Sequence, residues 1–187
     1  MASNYVNILR KPGAFKFSAT GLLARMPMSM VSISSLLAIQ SEYHSYTLAG
    51  QVSAVTLIAF ACTAPWLARR VDIYGQRFMI PFIMASCLAM VGEIVSITFH
   101  AHPVALLVCA AIAGGTSGSM GALVRARWSN LLQTPDEIHT AFALEAAMDE
   151  VAFIVGPILA TMLVTNPPLP VTSGLIVAVT AQAVGSL

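Results

Sequence analysis

Five ionisable side chains lie inside long apolar stretches of the sequence: Arg25, Glu93, Glu145, Asp149 and Glu150. A charged group at the centre of a bilayer costs at least about 2.5 kcal/mol, so such side chains face protein or a wet cavity. At 1.5 Å of rise per residue, Arg25 and Asp149 both lie roughly 15 Å into their stretches. We therefore expect Arg25 to pair with Asp149, or else with Glu145 or Glu150.

The spacing of the carboxylates indicates what this cluster could do. Glu145 and Asp149 are four residues apart and share one face of a helix, whereas Glu150 is rotated by about 100°. Two carboxylates in a low-dielectric site resist joint ionisation, so that one of them can hold a proton. Arg25 would favour the ionised form, and Pro27 is expected to kink the helix beside it. The cluster predicts a site for proton or substrate coupling, with a purely structural ion pair as the alternative.

The elements that position these residues are predicted to be transmembrane helices. Hydrophobic residues make up 57% of the 187 residues and charged residues 9%, against about 25% charged residues in a soluble domain. The net charge of +1 argues against nucleic-acid binding. Apolar runs of about 20 residues predict six spans. These are 17–39, 46–68, 78–98, 103–124, 138–164 and 171–187.

The distribution of positive charge predicts the orientation of the spans. If successive spans alternate in direction, all the Lys and Arg residues outside them lie on one side of the membrane. These are Arg10, Lys11, Lys16, Arg69, Arg70, Arg77, Arg125 and Arg127. The positive-inside rule makes that side the cytoplasm, with a cytoplasmic N-terminus in a plasma (inner) membrane. Trp128, beyond the fourth span, is expected to be an interfacial anchor.

The connector between the second and third spans carries a recognisable motif. In LARRVDIYGQRFMI, residues 67–80, Asp72 is followed by Gly75 and Arg77. This resembles the signature loop of the major facilitator superfamily, Gly-x3-Asp-x2-Gly-Arg-Lys/Arg, although Ala68 and Gln76 depart from the pattern. The resemblance implies a cytoplasmic gate that latches two halves of a transporter. The gate would consist of Asp72, Gly75, Arg77, Arg69 and Arg70.

Glycines and prolines inside the spans extend the resemblance. Gly156–Pro157 is similar to the Gly-Pro element in the fifth helix of many exporters of that family. Gly114, Gly118 and Gly121 place small residues along one side of the fourth span, which predicts close helix packing. A weak echo between 59–68 and 152–160 suggests two inverted repeats.

The resemblance implies an all-α membrane protein with six transmembrane helices in two inverted three-helix repeats, about 14–100 and 101–187. This is the N-terminal half of a major facilitator fold, and we expect the C-terminal half to be absent. The implied function is secondary active transport of a small molecule, as proton-coupled efflux driven by a proton gradient, without a cofactor or a metal. The expected partners are the bilayer, the substrate, and the missing half or a second copy of the chain.

Two alternative functions fit parts of the sequence. One is a half-transporter that dimerises, or a membrane scaffold that transports nothing. The other is an intramembrane serine protease, because Gly-Thr-Ser-Gly at 115–118 matches the motif around the nucleophile of rhomboid proteases. Such an enzyme needs a histidine on its sixth span to activate Ser117, and residues 171–187 contain none. We therefore expect a protein that is not an enzyme.

Overall fold

Long apolar runs become long helices in this chain. The computed structural model describes residues 2–186, with side chains from residue 5 onward, and within that range every regular element is helical. Eight α-helices follow one another along the chain, and a short 3-10 helix, Gln76–Met79, precedes the fourth. They are α1 (Ala2–Leu9), α2 (Ala14–Tyr43), α3 (Tyr46–Tyr74), α4 (Ile80–Thr98), α5 (Pro103–Ser117), α6 (Met120–Leu131), α7 (Pro135–Thr165) and α8 (Ser173–Gly185).

Local sequence explains where the helices end. After α2, His44 adopts a left-handed backbone conformation, and Ser45 caps α3 by accepting a hydrogen bond from the backbone N–H of Leu48. At the other end of α3 the chain turns at Gly75. Its backbone φ is 80°, a conformation that glycine adopts more readily than other residues. Thr134 caps α7 in the same way as Ser45 caps α3.

Five of the predicted spans have a counterpart that is long and apolar enough to cross a membrane. Two of these are composite: Gln76–Thr98 joins the 3-10 helix to α4, and Pro103–Leu131 joins α5 to α6. The prediction for 171–187 is not met in full, because α8 has 13 residues, or about 20 Å at the rise of a helix. Leu187 lies outside the described residues. The helix α1 was not predicted.

The fourth span is confirmed, but its helix is interrupted near the middle. The helix stops at Ser117 and restarts at Met120, because Gly118 has a φ of 63° and a ψ of 176°. This region of backbone conformation is essentially restricted to glycine. Non-helical backbone at membrane depth is tolerated where it is buried in protein or lines a cavity. Gly118 therefore interrupts the helix of this span, a role beyond the close helix packing predicted for it.

The helix α2 lies at the centre of the bundle and packs against α3, α7 and α8, while α5 packs against α3 and α4. Glycines allow close approaches between these helices. A side chain at Gly156 would overlap Ser29 of α2, and one at Gly114 would overlap the backbone of Thr56 in α3. Pro27 lies within α2 and does not interrupt it.

Candidate functional site

The central polar cluster joins α2 to α7. The buried Arg25 forms an ion pair through Nη2 with Glu145 Oε2, and its Nη1 lies 2.8 Å from Asp149 Oδ1. This second contact is an ion pair without the geometry of a hydrogen bond. The remaining donor, Nε, bonds to the carbonyl of Gly21 one turn earlier, at 3.0 Å. One guanidinium therefore holds both carboxylates that the sequence places on one face of α7.

Glu145 is fully enclosed and accepts hydrogen bonds at both oxygens. Its Oε1 accepts from Ser18 Oγ and from Trp128 Nε1, each at 2.7 Å, while Oε2 accepts from Arg25. A buried carboxylate is costly unless its oxygens have partners, and three donors, one of them a guanidinium, surround this one. Glu145 thus ties α2, α6 and α7 together.

Asp149 has different surroundings. Its side chain is 23% exposed, and besides Arg25 its one charged neighbour in the described structure is Arg125, with Nη2 at 3.7 Å from Oδ2. Gly121 leaves room for this arrangement, since a side chain there would stand 3.0 Å from Arg125 Nη2 and 3.7 Å from Arg25 Cδ. Asp149 is therefore the carboxylate of the pair that the protein does not fully enclose.

Three residues of this cluster were not predicted from the sequence, and one residue that was offered as an alternative partner of Arg25 lies outside the cluster. Ser18 gives no signal beyond its type, and Arg125 was counted only as a topology charge. Trp128 was expected at the membrane interface, which is wrong: α6 runs on to Leu131 and carries the indole back into the protein, where it is fully buried. Glu150 is exposed and takes no part in the cluster.

A cavity of about 280 Å³ lies next to the cluster, between α2, α3, α5 and neighbouring helices. Its wall is mainly apolar, with Val31, Phe60 and Met90 among the large side chains. Hydroxyl groups of several serines and threonines interrupt this surface. Gly114, Ser117 and Gly118 line it as well, so the broken span borders the cavity. Arg25 and Asp149 do not line it, although Ala24 and Phe153, one residue and one turn away from them, do.

The predicted gate loop is mostly exposed. Asp72 lies exposed in the last turn of α3. Arg69 and Arg77 are also exposed, and Arg70 lies over the ring of Trp66 at 5.3 Å. Gly75 makes the turn, as its position in the motif suggests.

The residue that ties this loop to the bundle is Gln76, which stands where the family pattern has a basic residue. Its Nε2 donates to the carbonyl of Leu123 at 3.2 Å, and its Oε1 accepts from Arg127 Nε at 2.7 Å. The side-chain amide therefore joins the loop after α3 to α6. This departure from the motif therefore creates a specific contact between the loop and the bundle.

Ser117, the candidate nucleophile, donates its hydroxyl hydrogen to the carbonyl of Gly114 at 3.0 Å. The helix α8 contains no histidine that could activate it. This arrangement satisfies a polar group at the end of a broken helix, and it gives the serine no general base.

No curated protein and no solved structure matches the chain. The family model described as the Major Facilitator Superfamily matches residues 17–185, which is most of the chain and runs from the first turn of α2 to the end of α8. Together with the apolar helices, this match makes the chain a multi-pass membrane protein of the transporter type, and it belongs to the Major Facilitator Superfamily.

Proposed function

We propose that this chain is a proton-coupled secondary transporter, and that Asp149 is the group that carries the proton. The observation that supports the proposal is the asymmetry of the two carboxylates bound to Arg25. Glu145 is buried and saturated with donors, whereas Asp149 is partly exposed and held by an ion pair alone. A coupling site needs one group that exchanges protons and a charge that stays fixed.

The proposed mechanism follows from the charges. With Asp149 ionised, Arg25 bridges two carboxylates of α7 and holds that helix against α2. Protonation of Asp149 from water removes one of these attractions and leaves the Arg25–Glu145 pair in place. The α2–α7 contact then weakens on the side of Asp149, next to Phe153 in the cavity wall. A local change in charge thus biases how two helices pack.

The apolar wall of the cavity favours a small apolar or amphipathic substrate, held by a few hydroxyl groups. Export from the cytoplasm is supported by the Gly156–Pro157 element alone. A plasma-membrane location with a cytoplasmic N-terminus is supported by the basic residues at one end of the bundle, where Lys11 contacts Glu137 and Arg127 contacts Gln76.

Proton flux in proteoliposomes tests the proposal. Vesicles containing the protein and a pH-sensitive dye are given an inward pH gradient, and a panel of lipophilic cations, anions and neutral molecules is added. We expect at least one compound to dissipate the gradient through the wild type, and Asp149→Asn to abolish this coupled flux. Asp136→Asn, which changes an exposed acid in the first turn of the same helix, is the matched control. Unchanged coupling in Asp149→Asn would refute the role of Asp149.

A second candidate, a dimerising half-transporter or scaffold, is favoured by one observation. Leu57 and Phe153 line the cavity and are nevertheless 62% and 53% exposed, so that the cavity is open along one side. A pure scaffold would show no substrate-dependent proton flux in any variant, whereas a dimeric transporter would show it only in its associated form.

A further inference from the structure

Glu93 is the one buried acid of the described structure that lies outside the Arg25 cluster. It is on α4 and 1% exposed, and its Oε1 has no hydrogen-bond partner. The hydroxyl of Ser35 on α2 is its polar neighbour, but the two do not form a hydrogen bond. A charged carboxylate cannot persist in such a place without a partner, because burial in a membrane protein removes the water that would solvate it.

Charged groups that could neutralise Glu93 are absent from its surroundings in the described residues. On α5 the neighbouring titratable group is the thiol of Cys109, which adds no positive charge. The helix α8 carries no titratable side chain. On α2, Arg25 is ten residues from Ser35, about 15 Å along the axis, and is occupied by two carboxylates. Beyond the end of α4, His100 pairs with Glu42 at 3.0 Å.

The position of Glu93 connects it to the cavity. Ser86, Met90 and Glu93 follow one another on one face of α4, at spacings of four and three residues, and the first two line the cavity wall. Ser35 lines the cavity too and is the neighbour of the Glu93 carboxylate. Ser53 on α3 adds a second hydroxyl without a partner to the same wall. A proton could therefore reach Glu93 from water in the cavity through Ser35.

We propose that Glu93 is a second proton-binding site of this protein, reached from the cavity through Ser35 and independent of the Arg25–Glu145–Asp149 cluster. The carboxylate takes a proton from cavity water and returns it by the same route. Glu93 lies nearer the end of the bundle opposite the Lys11–Glu137 contact. One further step rests on the proposed transport function. In that transporter, Glu93 receives protons on the side of the bundle away from Asp149.

Infrared difference spectroscopy of the purified chain in lipid nanodiscs tests the proposal. A protonated carboxyl group has a C=O stretching band that an ionised one lacks. We expect the wild type near neutral pH to show such a band, and Glu93→Gln to lose it. Glu150→Gln, which changes an exposed acid, should keep it. A wild type without the band, or a band that persists in Glu93→Gln, would overturn the proposal.

Two further variants keep the test decisive. If Glu93→Gln does not fold, Glu93→Asp should shift the band, and an unshifted band in that variant would refute the assignment. Ser35→Ala should keep the band but lower its rate of deuteration in D2O several-fold, and an unchanged rate would refute the route through Ser35. The infrared readout does not depend on transport, so failure of the proposed function would leave this result intact.

Discussion

At the scale of single residues, the two carboxylates that pair with Arg25 differ in how many partners of their own they have. Glu145 gives it a buried ion pair, and Ser18 and Trp128 in turn satisfy the other oxygen of Glu145. A buried ion pair is stable only when the remaining hydrogen-bonding atoms are satisfied. The role of Trp128 is to complete this set of donors, and its ring also packs edge-on against Phe17, with centroids 4.7 Å apart.

Removing the charge of Glu145 should therefore destabilise the whole bundle. In Glu145→Gln the guanidinium of Arg25 stays buried with Asp149 as its one carboxylate, and breaking a buried pair costs about 3 kcal/mol. We expect a clear fall in the midpoint of thermal unfolding, followed by tryptophan fluorescence in detergent. Glu150→Gln, on the exposed side of the same helix, should unfold like the wild type. Equal midpoints for both variants would show that the pair contributes no net stability.

At the scale of elements, the break between α5 and α6 decides where the second half of this span goes. The chain turns at Gly118, next to Met79 of the 3-10 helix, and α6 then packs against α2 and α7. As a result Trp128 reaches Glu145, and Gly121 lies beside Arg25. The polar cluster depends on this turn as much as on its own charged residues.

Alanine in place of Gly118 tests this dependence. An L-residue at φ 63° and ψ 176° costs about 1–3 kcal/mol, so Gly118→Ala should lower the thermal midpoint. Gly115→Ala is the matched control, because Gly115 is helical and a side chain there meets its nearest neighbour at an ordinary 3.7 Å. Similar midpoints for the two variants would indicate that the break is not required for folding.

Much of the bundle could be predicted from the sequence, because apolar run length and helical rise are reliable guides in a membrane. The matching depths of Arg25 and Asp149 followed from the rise per residue. The break at Gly118 could not be predicted, since a glycine in an apolar run leaves hydrophobic periodicity unchanged. The burial of Trp128 was missed for a related reason. A tryptophan beyond an apolar run has the same sequence pattern whether it meets lipid headgroups or a buried acid.

A contact between Lys11, just after α1, and Glu137 of α7 lies at the basic end of the bundle and depends on pH. Lys11 Nζ lies 2.6 Å from Glu137 Oε1, and this hydrogen bond lowers the pKa of Glu137 below its ordinary value. A lowered folded-state pKa means that the contact contributes fully above the unfolded pKa and is lost as the pH falls through the folded value. The contact is therefore lost in acid, at a pH below the usual pKa range of a glutamate.

Hydrogen exchange of residues 2–11 should report this contact. We expect exchange in the wild type, corrected for the intrinsic pH dependence, to be slow at neutral pH and to rise in acid. Glu137→Gln should exchange at the faster rate at every pH, while Asp136→Asn, which alters the neighbouring exposed acid, should behave like the wild type. Protection that does not depend on pH would mean that α1 is held by its apolar contacts, such as those of Ile8, alone.

At the scale of the whole molecule, apolar exposure is uneven in a way that lipid alone does not explain. The helix α4 exposes Met84 and Leu88 on its outer side, as a lipid-facing helix should. Leu57 of α3 and Phe153 of α7 are also more than half exposed, but they line the cavity. Beside them Asp149 is partly exposed, and a polar cluster open to lipid is costly. In the dimeric transporter proposed above as the second candidate, a second copy of the chain would cover this side.

Disulfide crosslinking tests association between two copies through this side. In a background with Cys62, Cys87 and Cys109 changed to alanine, Phe153→Cys should form a crosslinked dimer under mild oxidation. Met84→Cys, at 60% exposure against 53% for Phe153, should not, because Met84 does not line the cavity. Light scattering in mild detergent should give a protein mass of twice 19.7 kDa. A monodisperse monomer with equal crosslinking at both positions would mean that the cavity is not covered by a second copy.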